Sequence, residues 1–451
     1  MKELLFKTTE RALNYLDNLN SRKVLPDPKA VENLKQFDIQ LPEKSCDPES
    51  VLRTLDELGS PATMAMAGSR FFGFVIGGSL PASLAAHWLA SAWDQNSALN
   101  NVSPATSMIE QVALKWLVDV LQLPAGTGGA FVTGTTVANF TALVAARHKV
   151  LADLGWNVEA DGLYGAPEIN IYLGEEAHTT LFKSISMTGL GGSRVKRIPV
   201  DNQGRIRLDS VPEIIAPAIF CVQAGNVNTG GFDPIEEICE MAHRKNAWVH
   251  VDGAFGLWSR AAKSTAHLGK GIENADSWAT DAHKWLNVPY DSGVAFIREP
   301  ESLRAAMSIT AEYLPTQTDY RNPADYTPEL SRRARGVDIW AALLSLGREG
   351  VSDLVERNCR HAKRFAEALS GEGYEILNDV QLNQVLVSFG TPEITNKVVS
   401  EIQNDGTCWC GTTVWQGKTA MRISISGWNT TEEDVKMSIK AMTRIAGKYK
   451  K

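Results

Sequence analysis

Residues 247–254 read Ala-Trp-Val-His-Val-Asp-Gly-Ala, an apolar run that stops abruptly on an aspartate and a glycine. A run this apolar, carrying two valines, is the pattern of a strand at 247–251 covered on both faces, as strands of parallel sheets are. Asp252 then falls at the strand's carboxyl end, the edge at which open α/β sheets place their ligands. A carboxylate held there without a partner would shift its pKa and neutralise. Two roles suit it: pairing with a protonated pyridine nitrogen, or capping the turn at Gly253.

Working outward, further short strands are expected at 130–133, 169–173, 195–200, 218–223 and 293–297, with helices between them such as 137–152 and 234–245. Alternation of this kind predicts a mostly parallel sheet with helices on both faces, spanning 61–345. Residues 1–60 form a polar-faced helical segment broken at Pro26 and Pro28. A long amphipathic stretch at 336–360 leads into a β-α-β-α tail (strands at 384–389 and 421–426, and a last helix opened by Thr430-Thr431-Glu432-Glu433), predicting a small C-terminal α/β domain over 346–451.

A chain of 451 residues exceeds one small core, in keeping with that division. The formal net charge of −7, with no concentrated basic stretch, argues against nucleic acid as a partner. No apolar run approaches the ~20 residues of a membrane span. The opening MKELLFKTTERALNYL mixes charges with helically spaced apolar residues and reads as part of a mature chain rather than a leader. The six cysteines, only Cys408 and Cys410 of them close together, complete no zinc pattern and suit reduced thiols in a cytoplasmic protein.

Four segments carry chemistry. Asp281-Ala282-His283-Lys284-Trp285 sets a lysine beside a histidine between apolar segments, thirty-two residues after Asp252, which leaves room for one helix and one strand. Thr133-Gly134-Thr135-Thr136-Val137-Ala138-Asn139 joins a strand to a long helix and offers hydroxyls and N–H groups where a phosphate dianion would sit. It matches neither dinucleotide nor nucleotide-triphosphate glycine patterns. Glu175-Glu176-Ala177-His178 follows another strand, placing His178 to lie on an aromatic ring, and Asn226 follows the strand at 218–223. An amine, a carboxylate, a phosphate cup and a stacking ring are together what pyridoxal 5'-phosphate (PLP) requires.

These residues resemble the group II PLP-dependent amino acid decarboxylases, the family of aromatic-L-amino-acid and glutamate decarboxylases. The likeness rests on Ser69-Arg70-Phe71-Phe72-Gly73-Phe74, on Ser103-Pro104-Ala105-Thr106 through Trp116-Leu117, and most specifically on His250-Val251-Asp252-Gly253-Ala254 and His283-Lys284-Trp285. It implies the fold type I architecture of PLP-dependent transferases and a homodimer with the active site between subunits. It makes Lys284 the Schiff-base lysine, Asp252 the partner of the pyridine nitrogen, and His178 the residue stacked on the ring with Ala254 on the other face. Gly134, Thr135 and Thr136 would hold the phosphate near His283, with Arg422 and Phe74 on the substrate side. The implied reaction is decarboxylation of an L-amino acid to an amine and carbon dioxide. An aldehyde-forming oxidative deaminase, a carbon–carbon lyase, a transaminase and a non-catalytic PLP-binding protein are the alternatives.

Two departures from the family pattern stand out. The loop that carries the family's proton-donating tyrosine is short here, from Pro315 to Glu329; an ungapped alignment from Arg332-Arg333 puts Pro323 at that position, leaving Tyr320 or Tyr326 to serve. The stretch matching the aromatic wall of the substrate pocket is small and polar, Gln95-Asn96-Ser97-Ala98-Leu99-Asn100-Asn101, and leans toward a short or polar amino acid.

Overall fold

The computed structural model describes residues 1–309 and 321–450. Seven strands build the large sheet: β1 (Gly128–Val132), β2 (Asn170–Gly174), β3 (Lys196–Ile198), β4 (Ala218–Gln223), β5 (Trp248–Asp252), β6 (Ser277–Asp281) and β7 (Gly293–Ile297), in the order β1-β7-β6-β5-β4-β2-β3. β7 runs antiparallel to both of its neighbours, and the remaining pairings are parallel. The carboxyl ends of β1, β6, β5, β4, β2 and β3 therefore share one edge.

Side chains alternate across the sheet. Phe220, Val222, Val249, Val251, Trp278 and Phe296 face one core, packed with the helices Pro104–Val120 and Arg335–Gly371 through Leu117 and Leu354. Ile219, Cys221, Trp248, Ala279 and Ala295 face the other, against the helices Thr135–Ala152 and Thr179–Met187 through Leu143 and Leu181. Burying each large apolar side chain contributes roughly 1.5–3 kcal/mol, which is why the apolar runs alone marked most of these strands.

β6 was not among the expected strands. Its residues, Ser277-Trp278-Ala279-Thr280-Asp281, include three polar side chains, yet every one of the five is buried. Ser277 accepts the Trp248 Nε1–H at 2.8 Å and Thr280 donates to the Gly253 carbonyl at 2.9 Å, so partners on β5 and the turn after it satisfy the polar groups that disguised the strand. The expected helix between Asp252 and Lys284 is replaced by short 3₁₀ turns at Gly256–Ala261, Ala266–Gly269 and Ile272–Asn274.

A four-stranded antiparallel sheet forms from β8 (Glu375–Ile376), β9 (Gln384–Ser388), β10 (Gly411–Trp415) and β11 (Lys418–Ser424), in the order β10-β11-β9-β8. The helices Pro392–Asp405 and Glu432–Ala446 cover it, the second opened by a capping box between Thr431 and Asp434. The long helix is interrupted at Gly347 (φ 61°) and serves both cores: Val351, Leu354 and Val355 pack on the large sheet, Ala362, Phe365 and Leu369 on the small one. At the other end of the chain, Leu19 and Val24 join Ala65 and Phe71 in a small cluster, while the helix Lys2–Asn18 buries no residue. No described helix is long and apolar enough to cross a membrane.

One buried ion pair ties the large domain together near the sheet's first strand. Arg332 donates to Glu110 at 2.7 Å, to the Ser97 carbonyl and to the Phe131 carbonyl, with both charged side chains out of solvent. Removing one member strands the other charge, so Glu110→Ala should lower the unfolding free energy by about 3–5 kcal/mol, read by chemical denaturation. A loss below 1 kcal/mol would show that the guanidinium finds other support.

Candidate active site

At the shared carboxyl edge lies a cavity of about 350 Å³, walled by residues that follow β1, β2, β4, β5 and β6. Of the residues picked from sequence, Gly134, Thr135, Thr136, His178, Asp252, Ala254, His283 and Lys284 all line it. The bridging role of Lys284 and Asp252 required a single cavity, and both side chains reach this one.

Asp252 ends β5, buried at the cavity wall with only 5% of its surface exposed. Its Oδ1 accepts the Ala254 N–H at 3.2 Å and its Oδ2 accepts Asn139 Nδ2 at 3.1 Å. Burial pushes its pKa up, opposed by His178, Lys284 and these hydrogen bonds. Such a carboxylate gains most from a cation brought into the cavity.

Asn139 is itself held. Because its amide nitrogen donates to Asp252, its Oδ1 accepts from His250 Nε2 at 2.9 Å, and His250 Nδ1 is left to accept from Ser277 Oγ at 2.8 Å. Desolvation lowers the pKa of the buried His250 to about 3, so the ring is neutral. The direction of every bond from Ser277 to Asp252 is thereby set, and the carboxylate has one orientation. Asn139 closes the Thr133–Asn139 segment, where the sequence assigned it no role of its own; the docking of its helix against β5 brings it to Asp252.

Lys284 sits in the turn after β6, its Nζ 2.9 Å from Asp281 Oδ2, with His283 Nε2 3.5 Å from Asp281 Oδ1. Burial opposes the charge on Asp281, but Lys284, His283 and the Thr135 N–H outweigh it and hold its pKa below the ordinary carboxylate value. His178 accepts the Thr180 N–H at Nδ1, which leaves the ring proton on Nε2, and desolvation lowers its pKa, so it presents a neutral face to the cavity.

The backbone is fitted to this arrangement. A Cβ on Gly134 would lie 3.2 Å from His283 and 3.3 Å from Asp281, and one on Gly77 would lie 1.9 Å from the Lys284 carbonyl oxygen. Asn287, in the left-handed region (φ 56°), uses its whole amide: Oδ1 accepts from Gly78 N and Trp428 N, while Nδ2 donates to the Trp285 and Ser426 carbonyls. It thus fastens the Lys284 turn to the 77–80 segment and to the small domain.

Several expected site residues lie elsewhere. Asn226 spends its polar atoms on its own turn, accepting from Asn228 N and Thr229 N and donating to the Glu176 carbonyl, and does not face the cavity. Phe74 is 58% exposed and stacks on Trp409 at 5.5 Å, outside the wall. Arg422 lies on the central strand β11 rather than at an edge and donates to Asn228 Oδ1 at 3.3 Å, outside the wall but close enough to depress the pKa of His178. Tyr326 lies beneath the Arg321 guanidinium, 4.1 Å from ring centre, beside the core at the far end of β1. It does not line this chain's own cavity. Tyr320 falls outside the described residues. Asp281, Thr180 and Phe255 also line the cavity and had not been assigned; the position of Asp281 three residues before Lys284 was the available signal.

The donor set suits PLP on chemical grounds. Thr135 Oγ1 is buried beside the helix N-terminus without a hydrogen-bond partner among the described residues, and the buried carboxylate of Asp252 and the primary amine of Lys284 line the same cavity.

Relatives agree with this chemistry. The conserved domain of pyridoxal-dependent decarboxylases matches residues 31–391. An aromatic-L-amino-acid decarboxylase of Bacillus atrophaeus is 26% identical over 98% of this chain and 95% of its own length, and a phenylacetaldehyde synthase of Arabidopsis thaliana is 24% identical over 88% and 86%. The crystal structure of Oryza sativa TDC with PLP and tryptamine superposes with a TM-score of 0.92 at 22% identity, over 99% of this chain and 98% of that one. With its lysine, its buried aspartate and this match over most of its length, the chain belongs to the pyridoxal-dependent decarboxylases, PLP-dependent carboxy-lyases of fold type I.

Proposed function

We propose that the protein decarboxylates an L-amino acid to the corresponding amine and carbon dioxide, with Lys284 holding the cofactor. The observation that carries the reading is the convergence of Lys284, Asp252 and His178 on one cavity at the carboxyl edge of the sheet. PLP, when bound, supplies an electron sink for the pair released at Cα.

Each residue has a task in that setting. Lys284, the primary amine of the cavity wall, would hold the cofactor covalently. Asp252, oriented by Asn139 and Ala254 N–H, holds a proton on the pyridine nitrogen. His178 and Ala254 would hold the ring and the 134–136 turn the phosphate, all of them lining the same cavity. Arg422, the nearby cation on the small domain, orients the substrate carboxylate so that the bond to be broken stands perpendicular to the ring. A tyrosine from the 315–329 loop, Tyr320 or Tyr326, would supply the proton that takes the place of the departing carboxylate at Cα; Tyr326 would have to come from a second copy, given its place in this one.

A homodimer accords with the surface as well. Leu5, Phe6 and Leu13 leave large apolar areas exposed along the helix Lys2–Asn18, and the polar stretch 95–101 lies outside this chain's own cavity wall. A second copy would cover the first and bring the second to the substrate, which would then be a short or polar amino acid.

Aldehyde formation is the rival reaction, because phenylacetaldehyde synthases are among the relatives. Purified protein loaded with PLP should release amine and carbon dioxide in equal amounts from one or a few amino acids of a common set. Aldehyde with ammonia as the main products would replace this reading by oxidative deamination, and a keto acid would replace it by transamination.

A further inference from the structure

Asp281 is an acid placed where the site must receive a dianion. Its Oδ1 accepts the backbone N–H of Thr135 at 2.6 Å, at the start of the helix Thr135–Ala152, and its Oδ2 takes the Lys284 ammonium at 2.9 Å. His283 Nε2 lies 3.5 Å from its Oδ1; the carboxylate engages both the helix end and the ammonium at this end of the cavity, and its side chain is only 4% exposed. Beside it, Thr135 Oγ1 is buried with no hydrogen-bond partner among the described residues, a polar atom free to bond a phosphate oxygen.

The geometry points to Asp281 as the residue that sets cofactor affinity, by standing in for the phosphate in the PLP-free chain and repelling it on entry. The proposal rests on the 134–136 turn being the phosphate site. Two anions cannot share one helix N-terminus and one ammonium without cost, since like charges at close range in a buried site each disfavour the charged form of the other. Release of Asp281 from Thr135 N must accompany phosphate binding. The chain thereby trades affinity for a filled, charge-balanced cavity before the cofactor arrives: Lys284 keeps a counter-ion and the helix end keeps a cap.

Asp281→Asn removes the charge and keeps the shape. The neutral amide oxygen holds the Thr135 N–H less strongly than a carboxylate does, so the N–H is released to phosphate more readily, and the amide nitrogen becomes a donor for phosphate. The test is the dissociation constant of PLP from the freshly stripped full-length protein, read by fluorescence quenching, for the natural chain and the variant, beside the same titration with pyridoxal, which lacks the phosphate. The expected result is binding of PLP on the order of 10- to 100-fold tighter in the variant, with pyridoxal affinity changed several-fold less. Inorganic phosphate should also raise the melting temperature of the stripped variant more than that of the stripped natural chain. Unchanged or weaker PLP binding by a folded variant overturns the proposal. An equal gain for pyridoxal overturns it too, since the effect then runs through Lys284 and not through the phosphate. If Asp281→Asn does not fold, Asp281→Ser takes its place with the same expectations. A natural chain that takes up no PLP removes the functional reading along with this one, whereas uptake without a gain in the variant removes only this one.

Discussion

Lys284→Ala should leave a protein that folds and still binds PLP through the 134–136 turn and Asp252, but that keeps none of it after borohydride reduction and denaturation. Reduced natural protein should carry the cofactor's mass on the peptide containing Lys284, and the variant should carry none. Turnover should fall by more than about 10⁴-fold, the upper end of what one acid–base side chain contributes, because Lys284 also holds the cofactor in place. The near-visible absorbance of lysine-linked PLP should vanish with it. Covalent cofactor on any other lysine, or turnover within tenfold of the natural chain, would remove Lys284 from the role. The geometry makes this a clean substitution for the fold: Lys284 contacts Asp281 through its ammonium alone, and the turn that carries it is fastened independently by Asn287.

The second large effect is expected at Asp252. Asp252→Asn deletes the negative charge from the floor of the cavity at nearly constant shape. The pyridine nitrogen then loses the group that keeps its proton, and the electron sink weakens where charge develops. A loss of about 10²–10³-fold in kcat is expected, the scale on which one preorganised electrostatic partner acts in a water-excluded site, with a smaller effect on KM. The new amide would also set a donor against a donor, since Asn139 Nδ2 and Ala254 N–H both aim at the present carboxylate. PLP affinity should fall as well, measured apart from catalysis. A variant with natural kcat would mean that the ring nitrogen finds its proton elsewhere.

Asn139 extends the argument beyond the cavity wall. Asn139→Ala removes the donor to Asp252 and leaves His250 Nε2–H buried without an acceptor. The unpaired group costs about 1–3 kcal/mol of stability, readable by denaturation, and kcat should drop while KM holds, because Asn139 touches Asp252 and faces no substrate group. A drop in stability with unchanged kcat would make the residue structural only.

The sequence was legible wherever function demanded residues that packing alone would not choose. Asp252 at the end of an apolar strand, and Lys284 after a histidine, stood out against their surroundings, and Gly134 with its threonines marked a strand-to-helix turn. Those segments come from β1, β5 and the turn after β6, separated by more than a hundred residues at the widest, and the parallel order of the strands places their ends together. β6 itself was hidden because its polar residues find partners only across the sheet. Asn226 follows the same strand edge, but its side chain is taken up by hydrogen bonds to its own turn and to the Glu176 carbonyl after β2.

The amino-acid order by itself pointed to an α/β fold with a mostly parallel sheet, because strand periodicity is a local signal, and its likeness to the decarboxylases pointed to PLP and to Lys284 and Asp252 as the residues to hold it. Tertiary structure alone decided which groups complete the site. The hydrogen-bond chain from Ser277 to Asp252, the claim of Asp281 on the phosphate turn, the clamp at Asn287 and the displacement of Tyr326 to the far end of β1 all depend on contacts between segments remote in the chain. Hydrogen bonds and ion pairs act only over a few ångströms, and no pattern along a sequence specifies which side chains the fold will bring that close.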